Sequence, residues 1–189
     1  SRRQRQMCIR DRFGTAEGDF QWAVAYHPYP QDLNDAKTWN DNKASFNMNT
    51  KLVTFKNLEV LSAWAQKSEN KYKKTIKRSV WLSENGTNSR TYADMYLKEQ
   101  AAGFAYAWKK LKKLDGIDAM QWHNWIDHPD EYGLRIGLRK FPNDPDDPMG
   151  RKLVWYAYQA AGTSTEDAVF EPYKAVIGID NWNIIQVVQ

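Results

Sequence analysis

The stretch Val80-Trp81-Leu82-Ser83-Glu84-Asn85-Gly86 decides the fold class. Residues 79–83 form a short and mostly apolar run, which predicts a buried β-strand. Glu84 follows at the end of that strand, before the turn at Gly86. A carboxylate directly after a buried strand is partly withdrawn from water, which is costly unless the group has a catalytic, binding or ion-paired role.

Apolar strands are also predicted before and after this stretch. Residues 20–26 form the first and end at His27-Pro28-Tyr29-Pro30, where two prolines prevent a regular ladder. Residues 117–125 form the third. Helical patterns are predicted over residues 57–67, 91–114 and 153–161, and the rest of the chain is read as a tail. Alternating strands and helices predict an α/β fold with a parallel sheet.

Every predicted strand ends in polar side chains. The first ends at His27 and Tyr29, the second at Glu84 and Asn85, and the third in the run Trp122-His123-Asn124-Trp125-Ile126-Asp127. The carboxyl ends of parallel strands are where (β/α)8 barrels and doubly wound sheets place their active sites. No glycine-rich phosphate loop follows any strand, which argues against nucleotide binding.

Aromatic residues make up 14% of the chain, which predicts either a large core or a sugar-binding cleft, since flat rings stack on sugar faces. The net charge of +4 does not indicate a nucleic-acid partner. Residues 1–12 contain five arginines and one aspartate, and without them basic and acidic residues are equal in number. That segment resembles translated sequencing-adapter DNA, so we expect it to lie outside the native fold; the alternative is a native basic arm.

We expect no cofactor and no membrane span. No apolar run approaches the roughly 18 residues that a bilayer span requires. His128 and the nearby carboxylates are spaced too loosely to predict a metal site. The carboxylates Asp127, Asp130 and Glu131 could bind a cation or sugar hydroxyls, and solvation in a loop is the favoured reading for them.

Three stretches together resemble a bacterial family of uncharacterised, glycoside hydrolase-like barrels, the family of unknown function DUF5722. They are residues 22–30, residues 54–61 and Leu82-Ser83-Glu84-Asn85-Gly86. More distantly, the chain resembles the retaining (β/α)8 glycosidases of clan A. The resemblance runs from about residue 17 to the C-terminus. It implies that residues 13–189 are the C-terminal part of a single barrel, containing about strands 6 to 8.

The resemblance also implies roles for the strand-end residues. Glu84 matches the nucleophile after the seventh strand, and His27 and Tyr29 match positions that orient it and keep it ionised. Trp122, His123 and Trp125 fall at the eighth strand, where an aromatic ring commonly floors the sugar subsite. Trp122 and Trp125 point to opposite sides of a strand, so at most one is expected to face the cleft. Asn85 and Asp127 complete the predicted substrate-binding set.

The predicted function is therefore that of a retaining glycoside hydrolase acting on an oligo- or polysaccharide. Such hydrolysis requires two carboxyl groups, a nucleophile and an acid/base. The family's acid/base glutamate has no counterpart in these residues, so we expect the chain alone to be inactive. The alternatives are a non-catalytic carbohydrate-binding barrel and a barrel enzyme of another chemistry.

Overall fold

A computed structural model describes residues 18–185, so the arginine-rich segment of residues 1–12 lies outside the described part of the chain. Three strands and four α-helices alternate within that part. The strands are β1 (Val24–Ala25), β2 (Val80–Asn85) and β3 (Ala119–Trp122). The α-helices are α1 (Leu58–Gln66), α2 (Asp94–Leu111), α3 (Leu153–Ala160) and α4 (Glu166–Ile177). Short 3-10 turns lie at Thr38–Asn40, Phe55–Asn57, Ser68–Asn70 and Trp182–Ile185.

The three strands form one parallel sheet in the order β1-β2-β3. Val24 pairs with Val80, and Leu82 pairs with Met120. The register shifts between Leu82 and Asn85, so the end of β2 departs from strict alternation. The mixed α/β class and the parallel sheet predicted from the sequence are confirmed.

The two faces of the sheet have different surroundings. Val80 and Leu82 are fully buried against Leu58 and Leu61 of α1 and Ala107 of α2. On the other face Trp81 is 48% exposed, between its register partners Ala25 and Ala119. Side chains alternate along a strand, so one face carries the core and the other is open among the described residues.

Helix α1 agrees with its prediction to within a residue at each end, and the 3-10 turn Phe55–Asn57 that leads into it is capped locally. The Thr54 hydroxyl accepts a hydrogen bond from Lys56 N, and the Asn57 side chain accepts one from Thr54 N. This reciprocal pair satisfies backbone donors that the first turn leaves without partners.

Helix α2 begins at Asp94, three residues after the predicted Thr91. Tyr92 is not part of the helix, since Ala93 after it has extended backbone, and its hydroxyl donates to Asp127 Oδ2 at 2.8 Å. Asp94 in the first turn and Lys109 in the last complement the helix dipole.

Strand β1 is much shorter than the predicted residues 20–26 because Arg78 holds the chain before it. Its guanidinium pairs with Asp19, donates to the Phe20 carbonyl and lies 4.2 Å from the Trp22 ring centroid. Only Val24 and Ala25 remain in the ladder. Strand β3 is likewise shorter than the predicted residues 117–125.

The predicted tail was wrong, because it contains helix α4 with Pro172 inside it. Phe170 and Tyr173 bury the helix against α2 and α3, and Gly178 ends it at φ 82°. Among residues 18–185, no helix has the length and apolar character that a membrane span requires.

Candidate active site

Glu84 lies at the C-terminal end of β2, one residue before the strand ends at Asn85. Its side chain is 44% exposed, although Leu82 two residues earlier is fully buried. The carboxylate therefore stands at the edge of the sheet with its base in the core. This is the position predicted from the sequence.

Tyr29 and His27 reach Glu84 from the loop after β1. The Tyr29 hydroxyl donates to Glu84 Oε1 at 3.0 Å, and His27 Nδ1 lies 3.8 Å from Oε2. Burial raises the pKa of Tyr29, and the hydrogen bond to Glu84 and the charges of Glu84 and Glu131 raise it further. Tyr29 is consequently a hydrogen-bond donor throughout the neutral and mildly alkaline range.

The loop that carries these two residues is fixed by its sequence. Pro28 and Pro30 are buried on either side of Tyr29, and each proline ring restricts φ to about −65°. Gln31 N then donates to Asp41 Oδ1 at 3.3 Å. With its neighbours held, Tyr29 projects from β1 across to the end of β2.

Asn85 lies in the interior and does not face the cleft. It is fully buried, and its Nδ2 donates to the carbonyls of Leu82 and Gln121 at 2.9 Å each. Its side chain thereby ties β2 to β3. The geometry gives Asn85 a structural position where the sequence predicted a substrate contact.

Gly86 sets the close approach of β2 to the end of β3. A Cβ atom there would clash with Ile136 and lie 2.7 Å from the His123 carbonyl oxygen. His123 N also donates to the Asn85 carbonyl at 2.7 Å. The polar ends of β2 and β3 are therefore brought side by side.

The residues predicted at the eighth strand do not lie together. Trp122 turns towards the helices, where its ring meets Phe104 edge-on at 5.2 Å and its Nε1 donates to the Ile136 carbonyl. Trp125 is 60% exposed and packs against Trp155 with ring centroids 4.8 Å apart. Of the two tryptophans, Trp125 is the more exposed.

Asp127 is buried in an ion pair, so the solvated-loop reading was wrong for it. It is 1% exposed, and Lys152 Nζ lies 3.0 Å from its Oδ1. Tyr92 and the backbone of Gly137 donate to the same carboxylate. Burial raises the Asp127 pKa against the opposing effect of Lys152. These partners occupy the carboxylate and hold the loop between β3 and α3 to the start of α3.

Glu131 is a second carboxylate at this edge; the sequence analysis weighed it as a cation or sugar-hydroxyl ligand but favoured solvation in a loop. Its Oε1 lies 3.1 Å from His123 Nε2 and 2.9 Å from Asn124 Nδ2, and its side chain is 28% exposed. Its charge also acts on Tyr29. The only signal in the sequence was an acidic residue a few positions after a strand-end histidine.

Tyr29 and His27 thus gather around Glu84, and His123 and Glu131 form a second polar pair, joined to the end of β2 by the backbone bond from His123 to Asn85. Among residues 18–185, no group of three or more His, Cys, Asp or Glu side chains is arranged to hold a metal ion. Chemically, the cluster presents a half-exposed carboxylate whose orientation is fixed by a neutral donor.

Residues 10–185 match the model of a family of unknown function, DUF5722. The chain belongs to this family. The resemblance noted from the sequence is thereby confirmed, and two of its motifs, His27 to Pro30 and Leu82 to Gly86, supply the Tyr29–Glu84 contact. No curated protein matches this DUF5722 chain.

A solved structure of a family 39 glycoside hydrolase from the gut symbiont Bacteroides cellulosilyticus WH2 is similar in fold. The TM-score is 0.51 at 20% sequence identity, over 83% of this chain. The match covers 30% of the other chain, so the DUF5722 chain corresponds to less than a third of that enzyme. At this level of identity the similarity concerns the fold.

Proposed function

We propose that this DUF5722 chain is part of a retaining glycoside hydrolase in which Glu84 is the nucleophile. The observation that carries the proposal is the 3.0 Å hydrogen bond from Tyr29 to Glu84 at the end of a parallel strand, with His27 beside it. A nucleophilic carboxylate must be accessible and held in one orientation, and Glu84 meets both requirements.

We further propose that β1, β2 and β3 are about the sixth, seventh and eighth strands of a (β/α)8 barrel, formed by residues 13–189 and strands outside them. The parallel order supports this, because barrel strands follow one another around the ring. The open face carrying Trp81 supports it too, since that face would line the barrel interior. The fold similarity to a glycoside hydrolase points the same way.

The chemistry follows from the two oxygens of Glu84. Oε1 accepts the hydrogen bond from Tyr29, so Oε2 is the oxygen that attacks the anomeric carbon. The bond to the leaving oxygen breaks as a second carboxyl group gives that oxygen a proton. The same group then takes a proton from water, and the water displaces Glu84 from the glycosyl ester. In clan A that group follows the fourth strand, in the proposed remainder of the barrel.

The substrate would be a carbohydrate bound above this edge of the sheet. His123 and the exposed Trp125 are the proposed contacts from the end of β3, alongside His27 and Tyr29. Asn85, Trp122 and Asp127 take a supporting role instead: they join β2 to β3, pack β3 on α2 and hold the loop between β3 and α3.

The test is Glu84→Gln in the protein with its complete barrel, assayed on a panel of 4-nitrophenyl glycosides. The substitution keeps the shape and removes the nucleophile, so hydrolysis should fall by at least about 10⁴-fold with an unchanged circular dichroism spectrum. Glu171→Gln is the control, because Glu171 is an exposed carboxylate on α4. Undiminished turnover in Glu84→Gln would refute the proposal, and sugar binding without hydrolysis by the unaltered protein would favour the binding-domain alternative.

A further inference from the structure

Glu131 is held in place by the turn that follows β3. Its backbone N donates to the His128 carbonyl at 3.2 Å, and its own carbonyl accepts from Leu134 N at 2.9 Å. Tyr132 and Gly133 follow with positive φ values of 54° and 80°, which reverse the chain. Both backbone polar groups of Glu131 are satisfied, so the side chain starts from a defined position.

The two oxygens of the Glu131 carboxylate have different surroundings. Oε1 accepts from Asn124 Nδ2 at 2.9 Å and lies 3.1 Å from His123 Nε2. A carboxylate accepts hydrogen bonds, so the histidine tautomer that fits carries its proton on Nε2. Within residues 18–185, no side chain hydrogen-bonds to Oε2. One oxygen is thus fixed by two donors, and the other keeps its lone pairs for a further donor.

The Glu131 carboxylate lies at the same edge of the sheet as Glu84. His123, which holds Glu131, is bonded through its backbone N to the carbonyl of Asn85, the residue after Glu84. Tyr29, which holds Glu84, is subject to the charge of Glu131 as well. Glu84 at the end of β2 and Glu131 in the turn after β3 are therefore linked through His123 at one edge of the sheet.

We propose that Glu131 binds substrate beside Glu84 by accepting a hydrogen bond at Oε2 from a ring hydroxyl of the sugar. This inference rests on the proposed glycoside hydrolase function and deepens it. A fixed oxygen that only accepts selects for a ligand that donates, which is what a sugar hydroxyl does. It makes Glu131 a specificity-determining residue: the enzyme requires a free hydroxyl at the ring position that meets Oε2.

The experiment compares Glu131→Gln with Asp130→Asn in the protein with its complete barrel. Asp130 is the matched control, because it undergoes the same change one residue away and is 91% exposed. On the best 4-nitrophenyl glycoside, Glu131→Gln should lose about 10- to 100-fold in kcat/KM, the effect of one charge-assisted hydrogen bond. Asp130→Asn should retain the unaltered protein's value.

Deoxy substrates identify the hydroxyl. The unaltered enzyme should lose about 10- to 100-fold on one monodeoxy glycoside, and Glu131→Gln should show no further loss on that same compound. If Glu131 had a merely structural role, Glu131→Gln would instead lower kcat/KM by the same factor, relative to the unaltered enzyme, on every deoxy analogue. That outcome would overturn the inference.

Leaving groups provide the second readout. If Glu131 binds a sugar hydroxyl, Glu131→Gln should lower kcat/KM by the same factor on dinitrophenyl and on alkyl glycosides. A loss that grows with the pKa of the leaving group would make Glu131 the general acid and would also overturn the inference. Failure of the proposed function is distinguishable: there the unaltered enzyme hydrolyses no glycoside, or Glu84→Gln keeps full activity, and the inference falls with it.

Discussion

Glu84 and Glu166 are both glutamates at the end of a structural element, and their surroundings are opposite. Glu166 begins α4 and its side chain is 4% exposed. It accepts from Trp108 Nε1 and Gly162 N at 2.7 Å each, and Lys109 and Lys112 approach it as well. Glu84 is 44% exposed and has one tyrosine donor and a histidine at 3.8 Å.

The difference separates a carboxylate that holds the fold from one that is available for chemistry. Both oxygens of Glu166 have donors from α2 or the turn before α4, so the group stabilises the packing of α4 on α2. Glu84 keeps one oxygen open at the edge of the sheet. Glu131 lies between these extremes, with one oxygen held and one open.

The buried pair of Lys152 and Asp127 gives the largest expected effect on stability. Both side chains are fully buried. Lys152→Met would leave the Asp127 carboxylate buried without its cation, and we expect a loss of about 3–5 kcal/mol in the free energy of unfolding. Urea denaturation followed by circular dichroism measures it.

The double variant Lys152→Met with Asp127→Asn is the control for that prediction. It removes both charges, so it should recover at least half of the loss. If the double variant is less stable than the single one, the pair is not the reason for the destabilisation.

Glu166→Gln tests the structural role of Glu166 through the pH dependence of the free energy of unfolding. Burial would raise the Glu166 pKa, but the donors from Lys109, Gly162, Trp108 and Lys112 outweigh it and lower the pKa to about 2. Because the pKa is lower in the folded state, Glu166 stabilises the fold above its unfolded pKa of about 4.5, and this contribution disappears as pH falls towards 2. Because solvent screens these charges, the substitution should cost less than the full shift implies, about 1–2 kcal/mol at pH 7.

The gap between the unaltered protein and Glu166→Gln should therefore narrow as the pH of urea denaturation is lowered from 5 to 3. Glu171→Gln, on the exposed side of the same helix, should change stability by less than about 0.5 kcal/mol at any pH. A gap for Glu166→Gln that stays constant with pH would mean that its charge does not carry the effect.

Tyr29→Phe has the smallest expected effect on stability and tests the role of Glu84 as a group available for chemistry. Phenylalanine keeps the ring but removes the donor to Glu84, so kcat should fall about 10- to 100-fold while stability changes by less than about 1 kcal/mol. Tyr26→Phe is a matched control on the same loop, since the Tyr26 hydroxyl donates to the Val53 carbonyl. Equal activity in the two variants would contradict the role of Tyr29.

Much of the fold follows from local patterns in the sequence. Helices α1 and α3 lie within a residue or so of their predictions, because their apolar spacing is a local signal. Helix α4 could not be predicted in the same way. Pro172 signals a break, and the burial of Phe170 and Tyr173 that overrides it depends on α2 and α3.

The site residues also divide into those that the sequence placed and those that it could not. The position of Glu84 follows from an apolar strand, and that of Tyr29 beside it was implied by the family resemblance. Asp127 could not be placed, because its partner Lys152 is 25 residues away and no local pattern joins them. Asn85 could not be placed because the register shift after Leu82 breaks the alternation of side chains.

Covalent trapping tests the central claim most directly. A 2-deoxy-2-fluoro glycosyl fluoride slows both steps through its C2 fluorine, but its leaving group needs no proton, so a retaining enzyme accumulates the glycosyl ester. Peptide mass spectrometry of the inactivated complete-barrel protein should find one sugar on the peptide containing Glu84, and none in Glu84→Gln. A label on a different carboxylate, or no label in a protein that hydrolyses the parent glycoside, would contradict Glu84 as the nucleophile.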